Sequence, residues 1–274
     1  MSGTHLPEIV LVGYGNIGSA MLSGWLNTEV QHVAVVRRQE VKQPCYGPNV
    51  SFYNHPDQIP SELAPAAIVF AIKPQQAGEI LPDYSEFARR GSLMVSLMAG
   101  KSVSAIEAIL GAGASIVRAM PNTPAALRRG FTVAYAGKNV TLAQKHLCGQ
   151  LLAAVGDVAW AEDERALDPV TAISGGGPAY VFLLAELLEA AGVEQNLPRS
   201  LARRMARQTI IGAASLLAAS DTDAAQLRRN VTSAGGTTER ALQVLLAQAA
   251  WPQSVSDAIA VATARSRTLA DDLE

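Results

Sequence analysis

After Lys145 the chain has no further lysine, after His146 no histidine, and beyond Tyr135 a single tyrosine, Tyr180. Enzymes that oxidise a hydroxyl or reduce a ketone position an acid or base, usually one of these three side chains. The second half therefore lacks the usual equipment for carbonyl chemistry. Cysteine is sparse too. Cys45 and Cys148 are far apart and form neither a CxxC nor a zinc spacing, so the expectation is a reduced, cytoplasmic protein with no metal site. Charge is lean at 17% with a net of -2, and nothing in it advertises nucleic acid or an anionic membrane as a partner. The opening "MSGTHLPE" lacks a basic region and an apolar core, so no signal peptide is expected. "EIVLVG" is too short to span a bilayer. What is present is 49% hydrophobic residues over 274 positions, enough for one large domain or two modest ones.

Short apolar runs alternate with helical patterns through the first half. "EIVLVG", "HVAVVRR", "AAIVFAIK", "SLMVSLMAG" and "ASIVRAM" read as strands, and "NIGSAMLSGWL" as a helix. Near-continuous apolar strands separated by helices predict a parallel sheet covered on both faces. "FTVAYAG" and "VGDVAWAE" add two strands around a helix containing Lys145 and His146. The character changes near Asp163, and from Ala179 onward the patterning is helical almost throughout. The expected division is an α/β dinucleotide-binding domain over 1–163 and an all-α domain over 164–274. The segment from Tyr180 to Ala191 is apolar on nearly every face, which requires burial from more than one side. It reads either as a subunit interface or as a central core helix.

"GYGNIG" places Gly13, Gly15 and Gly18 after a strand and at the opening of a helix, the context that makes G-x-G-x-x-G a dinucleotide motif. Gly13 would make the tight turn, Gly15 would admit a pyrophosphate, and Gly18 would let helix and strand pack closely. Asn16 and Ile17 open the helix whose N-terminal amides would face the phosphates. An NAD site carries an acid roughly 20 residues on. Here the second strand runs into Arg37 and Arg38. Guanidinium groups fork onto a phosphate where a carboxylate repels it, so NADPH is expected, with NADH as the alternative because Glu40 is close by. A solvated arginine pair is the other reading.

The stretch "NVTSAGGTTERAL" has hydroxyls on both sides of a glycine pair just before a helix. Bare amides and hydroxyls at a helix N-terminus make an anion seat; simple capping by Thr237 or Thr238 explains one hydroxyl and not the pair of glycines. A seat for a carboxylate, in a half without carbonyl chemistry, fits an imino acid. A protonated imine accepts hydride at carbon while its nitrogen already carries the proton.

"SGGGPAY" (174–180) followed by "TSAGGTT" (232–238) resembles the signature of the pyrroline-5-carboxylate reductase family. "FAIKPQ", "VSLMAG" and "MPNTPA" resemble its other blocks, in order along nearly the whole chain. The resemblance implies a Rossmann domain and a helical domain that interlocks with a second copy, giving a homodimer or a higher assembly of dimers. It also implies reduction of pyrroline-5-carboxylate to proline with NADPH or NADH. It places Asn54, Ile72, Lys73, Ala99 and Asn230 at the cofactor. The substrate would lie on Ser233, Gly236, Thr237 and Thr238, near Thr171. Thr238 and Glu164 are implied beside the reacting groups, the glutamate near the ring nitrogen. Read as residues alone, Lys73 also suits a surface position before Pro74, Asn54 a turn, and Glu164 a helix start. Two positions depart from the family pattern: Gly176 stands where serine is usual and Ala234 where proline is usual. They leave open a reductase of another cyclic imino acid. Two other rivals are a β-hydroxyacid dehydrogenase, disfavoured by the missing lysine, and a non-catalytic NADPH-binding sensor.

Overall fold

Successive residues of β1 (His5–Val12) point to opposite faces of a sheet: Ile9 and Leu11 enter one core, Val10 and Val12 the other. This is why Ile9 to Val12 are apolar without a break. The computed structural model describes residues 5–38 and 46–271; Glu40 and Cys45 lie outside them. Among the described residues the sheet has eight strands: β1, β2 (Glu29–Val36), β3 (Val50–Tyr53), β4 (Ala67–Phe70), β5 (Leu93–Ser96), β6 (Ile116–Met120), β7 (Gly130–Ala136) and β8 (Gly156–Trp160). Their spatial order is β3-β2-β1-β4-β5-β6-β7-β8. Seven were legible as apolar runs; β3 is an additional strand. All pairs are parallel except β6 with β7. Only residues 121–129 join these two strands, fewer than a parallel crossover needs, so the chain must reverse.

Helix α1 (Asn16–Trp25) and the helices α2 (Ala77–Ile80), α3 (Ser85–Arg89), α4 (Val103–Leu110) and α5 (Leu142–Ala153) accompany the sheet. Trp25 is fully buried, and its indole N–H donates to Leu151 O of α5 at 2.9 Å. Cys148 is a buried free thiol that burial pushes up to about 12, so it serves packing.

The helical half begins earlier than Ala179. Glu164–Ala166, α6 (Leu167–Val170), a π turn (Thr171–Gly175) and α7 (Gly177–Glu194) follow one another almost without interruption. Pro169 and Pro178 fall within this run, yet each sits in a first turn, where a missing N–H costs nothing. Packing divides the chain at Gly175 rather than Asp163, and the last ten described residues of α11 (Trp251–Asp271) belong to the first unit. There Ser266 Oγ donates to Asp168 Oδ1 at 2.8 Å.

The second unit, 176–261, contains α7, α8 (Arg199–Ala218), α9 (Ala224–Asn230), α10 (Thr237–Leu245) and the start of α11. Helices α7 and α8 form a close hairpin in which a Cβ on Gly192 would lie 3.0 Å from Ala202. Apart from such contacts the unit is open: Phe182, Leu187, Ile211 and Leu216 are each more than half exposed. The stretch 164–194 is by length and composition apolar enough to cross a membrane, although Asp168, Glu186 and Glu189 interrupt it. An exposed surface of this kind on one copy of a chain marks an interaction face.

Candidate active site

The C-terminal ends of β1, β2 and β4 frame a cavity of about 500 Å³. Ligands of open α/β sheets bind at this edge. Gly13, Gly15, Arg37, Arg38, Asn54, Ile72 and Lys73 all line it. The three motif glycines have three separate physical reasons. Gly13 has φ +94°, and a Cβ there would lie 2.5 Å from Ala71 O. A Cβ on Gly18 would lie 2.2 Å from Gly13 O, because α1 packs tightly on the turn. At Gly15 a Cβ would meet nothing within 4 Å. Among the described residues no contact requires that glycine, which fits a position kept bare for a ligand. Gly15 is the N-cap of α1 and gives it no side-chain cap, so amides of the first turn, from Asn16 onward, are left for an anion.

The two arginines differ. Arg37 is 8% exposed and lies over the Phe52 ring with its guanidinium carbon 4.6 Å from the centroid. Its Nε and Nη1 are buried without a hydrogen-bond partner. A native protein rarely leaves such donors unsatisfied. Around it Tyr14, Tyr46 and Phe52 form an aromatic group in which the two phenols meet at 2.6 Å. Burial, reinforced by the bond to Tyr46, pushes the Tyr14 phenol up to about 12. Arg38 is half exposed and already paired, its Nη2 lying 2.8 Å from Glu79 Oε1. Each partner stabilises the other's charge: the hydrogen bond raises Arg38 and lowers Glu79.

Tyr14, His55, Asp83 and Tyr84 also line the cavity, and sequence reasoning did not select them. Tyr14 lies inside the glycine motif and could have been found there. Tyr84 could not: it is buried at 1% exposure, with an unpartnered hydroxyl pushed above its ordinary value by burial.

A second cluster joins β6, α4 and the turn at Glu164. Arg118, an arginine within the apolar strand β6, donates from Nη1 to Glu164 Oε1 at 2.7 Å, and the Val103 amide donates to the same oxygen at 2.7 Å. The glutamate expected near a substrate nitrogen thus has one oxygen committed to a buried guanidinium and to the first turn of α4. Close by in the chain, Asn122 donates to Ser174 Oγ at 3.1 Å and accepts from the Phe131 amide at 2.9 Å, fixing the "MPNTPA" loop. Ala99 packs with Met120, Val133 and Leu167. The Thr171 hydroxyl donates to Leu167 O at 2.7 Å, which leaves it as an acceptor only.

In the second unit the loop before α10 has the form of an open helix N-terminus. Gly236 is the N-cap, so neither Thr237 nor Thr238 caps the helix, and both begin its first turn. Gly235 has φ +71° and its amide donates to Glu239 Oε2 at 2.9 Å; the Gly236 amide donates to Ser233 O at 3.0 Å. Ser233 precedes the glycine pair, and Thr237 and Thr238 are the first two residues of α10. Asn230 ends α9 and accepts from Gln226 Nε2 at 2.7 Å.

Residues 164–269 match the family model for pyrroline-5-carboxylate reductase dimerisation, and residues 8–100 match that for NADP oxidoreductase, coenzyme F420-dependent. The pyrroline-5-carboxylate reductase of Pseudomonas aeruginosa is 36% identical over 97% of this chain and 98% of its own. Among solved structures, a pyrroline-5-carboxylate reductase from Coxiella burnetii is 32% identical with a TM-score of 0.86, covering 95% of this chain and 97% of that one. The Plasmodium falciparum pyrroline carboxylate reductase with NADP bound is 28% identical with a TM-score of 0.83, covering 96% and 98%. Identity at this level along the entire length leaves one assignment: the chain belongs to the pyrroline-5-carboxylate reductase family.

Proposed function

We propose that the protein reduces pyrroline-5-carboxylate to proline with NADPH, as a homodimer or an assembly of dimers in the cytoplasm. One observation carries the reading. A chain similar along nearly its whole length to reductases of this imine places a glycine turn and a buried arginine that no acid pairs among the described residues around a single cavity at the strand ends. The residues fit a phosphorylated dinucleotide. The turn is as tight as Gly13 and Gly18 allow, Gly15 leaves room for a pyrophosphate, and Arg37 and Arg38 offer donors to a 2′-phosphate.

When bound, the nicotinamide cofactor supplies the hydride. The chain's own groups bind and orient. The first-turn amides of α1 hold the pyrophosphate. Asn54, Ile72 and Lys73 border the adenosine side, and Ala99 and Asn230 belong to the cofactor contacts. The substrate carboxylate rests on Ser233, Gly236, Thr237 and Thr238 at the positive end of α10; Thr171, whose oxygen can only accept, suits the ring N–H rather than the carboxylate. The Thr238 hydroxyl bonds beside the reacting carbon–nitrogen pair. Glu164 acts as a positioning residue by holding Arg118 and α4. Proximity of this kind is worth ~7–11 kcal/mol in favourable cases. The functional division is 1–163 for cofactor and 164–274 for substrate and dimerisation. The exposed apolar residues of α7 and α8 are covered by a second copy.

Arg37 and Arg38 replaced together by Ala should raise the KM for NADPH on the order of 100-fold, the worth of two charge-assisted hydrogen bonds, and leave that for NADH nearly unchanged. Equal effects on both cofactors would remove the 2′-phosphate assignment. Thr238→Ala should lower kcat/KM for the imine roughly 10- to 100-fold, the worth of one hydrogen bond to a charged group, with NADPH affinity intact. A defect confined to cofactor binding would place Thr238 elsewhere.

A further inference from the structure

The asymmetry between the two arginines has a consequence for cofactor choice. We propose that Glu79 is a selectivity residue that restrains the preference for a 2′-phosphorylated cofactor by holding Arg38 in the phosphate-free protein. The inference rests on the reading of Arg37 and Arg38 as the phosphate-binding pair.

Arg37 is fixed by its ring contact with Phe52 and keeps two buried donors without a partner. Arg38 lines the same cavity, yet its Nη2 bonds Glu79 at 2.8 Å, and both side chains are more than half exposed. An arriving phosphate meets one guanidinium held on the Phe52 ring with no acid paired to it among the described residues and one whose charge is already answered. To use Arg38 fully it must exchange a carboxylate for a phosphate on the same guanidinium. Glu79 then remains as a like charge beside a dianion. An unphosphorylated ribose meets neither penalty. Glu79 sits at the third position of the short α2, so its placement follows from the turn after "KPQQ". Exposed ion pairs are weak and screened by salt, so the effect is a modest adjustment of ratio rather than a switch.

The test is a fluorescence titration of the whole protein with NADPH and with NADH, for the parent chain, Glu79→Gln, Arg38→Ala and the double variant. Glu79→Gln should tighten NADPH roughly 2- to 5-fold and change NADH less than twofold, with the gain shrinking as salt rises. In the Arg38→Ala background the same substitution should change NADPH binding less than twofold. Weaker NADPH binding in Glu79→Gln would mean that Glu79 presents Arg38 to the phosphate, and would overturn the proposal. An equal change for both cofactors, no change, or a full gain that persists without Arg38 would overturn it as well. Failure of the underlying reading is distinguishable: the Arg37 and Arg38 double substitution would then affect both cofactors equally. If that pair is selective and Glu79→Gln is silent, the Glu79 inference alone fails.

Discussion

Gly18→Ala should lower turnover with NADPH and NADH alike on the order of 100-fold, because the new methyl would lie 2.2 Å from the Gly13 carbonyl oxygen and 3.3 Å from the Ala71 side chain. Neither obstacle is a flexible side-chain end. The oxygen belongs to the glycine turn and the methyl to the strand end, so α1 must move away from β1. A shift of ~1 Å in the amides that hold a pyrophosphate costs about that factor. The melting temperature should fall at the same time. Gly15→Ala separates the two causes, since a Cβ at that position meets no protein atom within 4 Å. That variant should keep the parent's melting temperature and lose affinity for both dinucleotides. If Gly15→Ala bound them as well as the parent, the pyrophosphate would not lie on this turn.

Glu164→Ala should destabilise the protein by about 3 kcal/mol, the low end of what removing one partner of a buried pair costs, because Glu164 itself is a quarter exposed. Arg118 would keep its charge at 7% exposure with nothing to answer it, and its Nε already lacks a partner. The Val103 amide would lose its acceptor as well. Glu164→Gln retains an acceptor for one of the two donors and should lose less. Arg118→Met together with Glu164→Gln should recover part of the loss, since apolar replacements of buried pairs are often neutral. Thermal melts and steady-state kinetics on these variants distinguish two roles. A positioning residue loses stability and kcat together, in proportion, and both recover in the double variant. A proton carrier at the substrate nitrogen would lose kcat in Glu164→Gln at unchanged stability.

Local signals were legible and distant pairings were not. The strands read as apolar runs because both faces of the sheet are covered, and the turn at Gly13 and the close packing at Gly18 were readable because they depend on backbone shape within six residues. The short β3 was missed; four half-buried residues between turn-forming neighbours give little periodicity. The antiparallel β6–β7 pair was hidden by treating all strands alike, although the shortness of 121–129 announces it. The helical start at Glu164 was legible, and Pro169 and Pro178 do not interrupt the run that follows because each occupies a tolerated first-turn position. At the site, the Arg118–Glu164 pair spans 46 positions and Arg38–Glu79 joins separate elements. No local pattern encodes either one. A lone arginine inside "SIVRAM" was nevertheless a signal, because a charge in a buried strand requires a partner somewhere.

Reduction of a five-membered cyclic imino acid by a phosphorylated nicotinamide cofactor underlies the roles given to Arg37, Arg38 and the loop before α10. Its most direct test is the initial rate of NADPH oxidation with pyrroline-5-carboxylate, run beside NADH and beside a six-membered cyclic imino acid. Rapid NADPH oxidation with the five-membered ring, slower reaction with NADH, and formation of proline are the predicted results. Binding of NADPH with no oxidation in the presence of either imine would contradict the account.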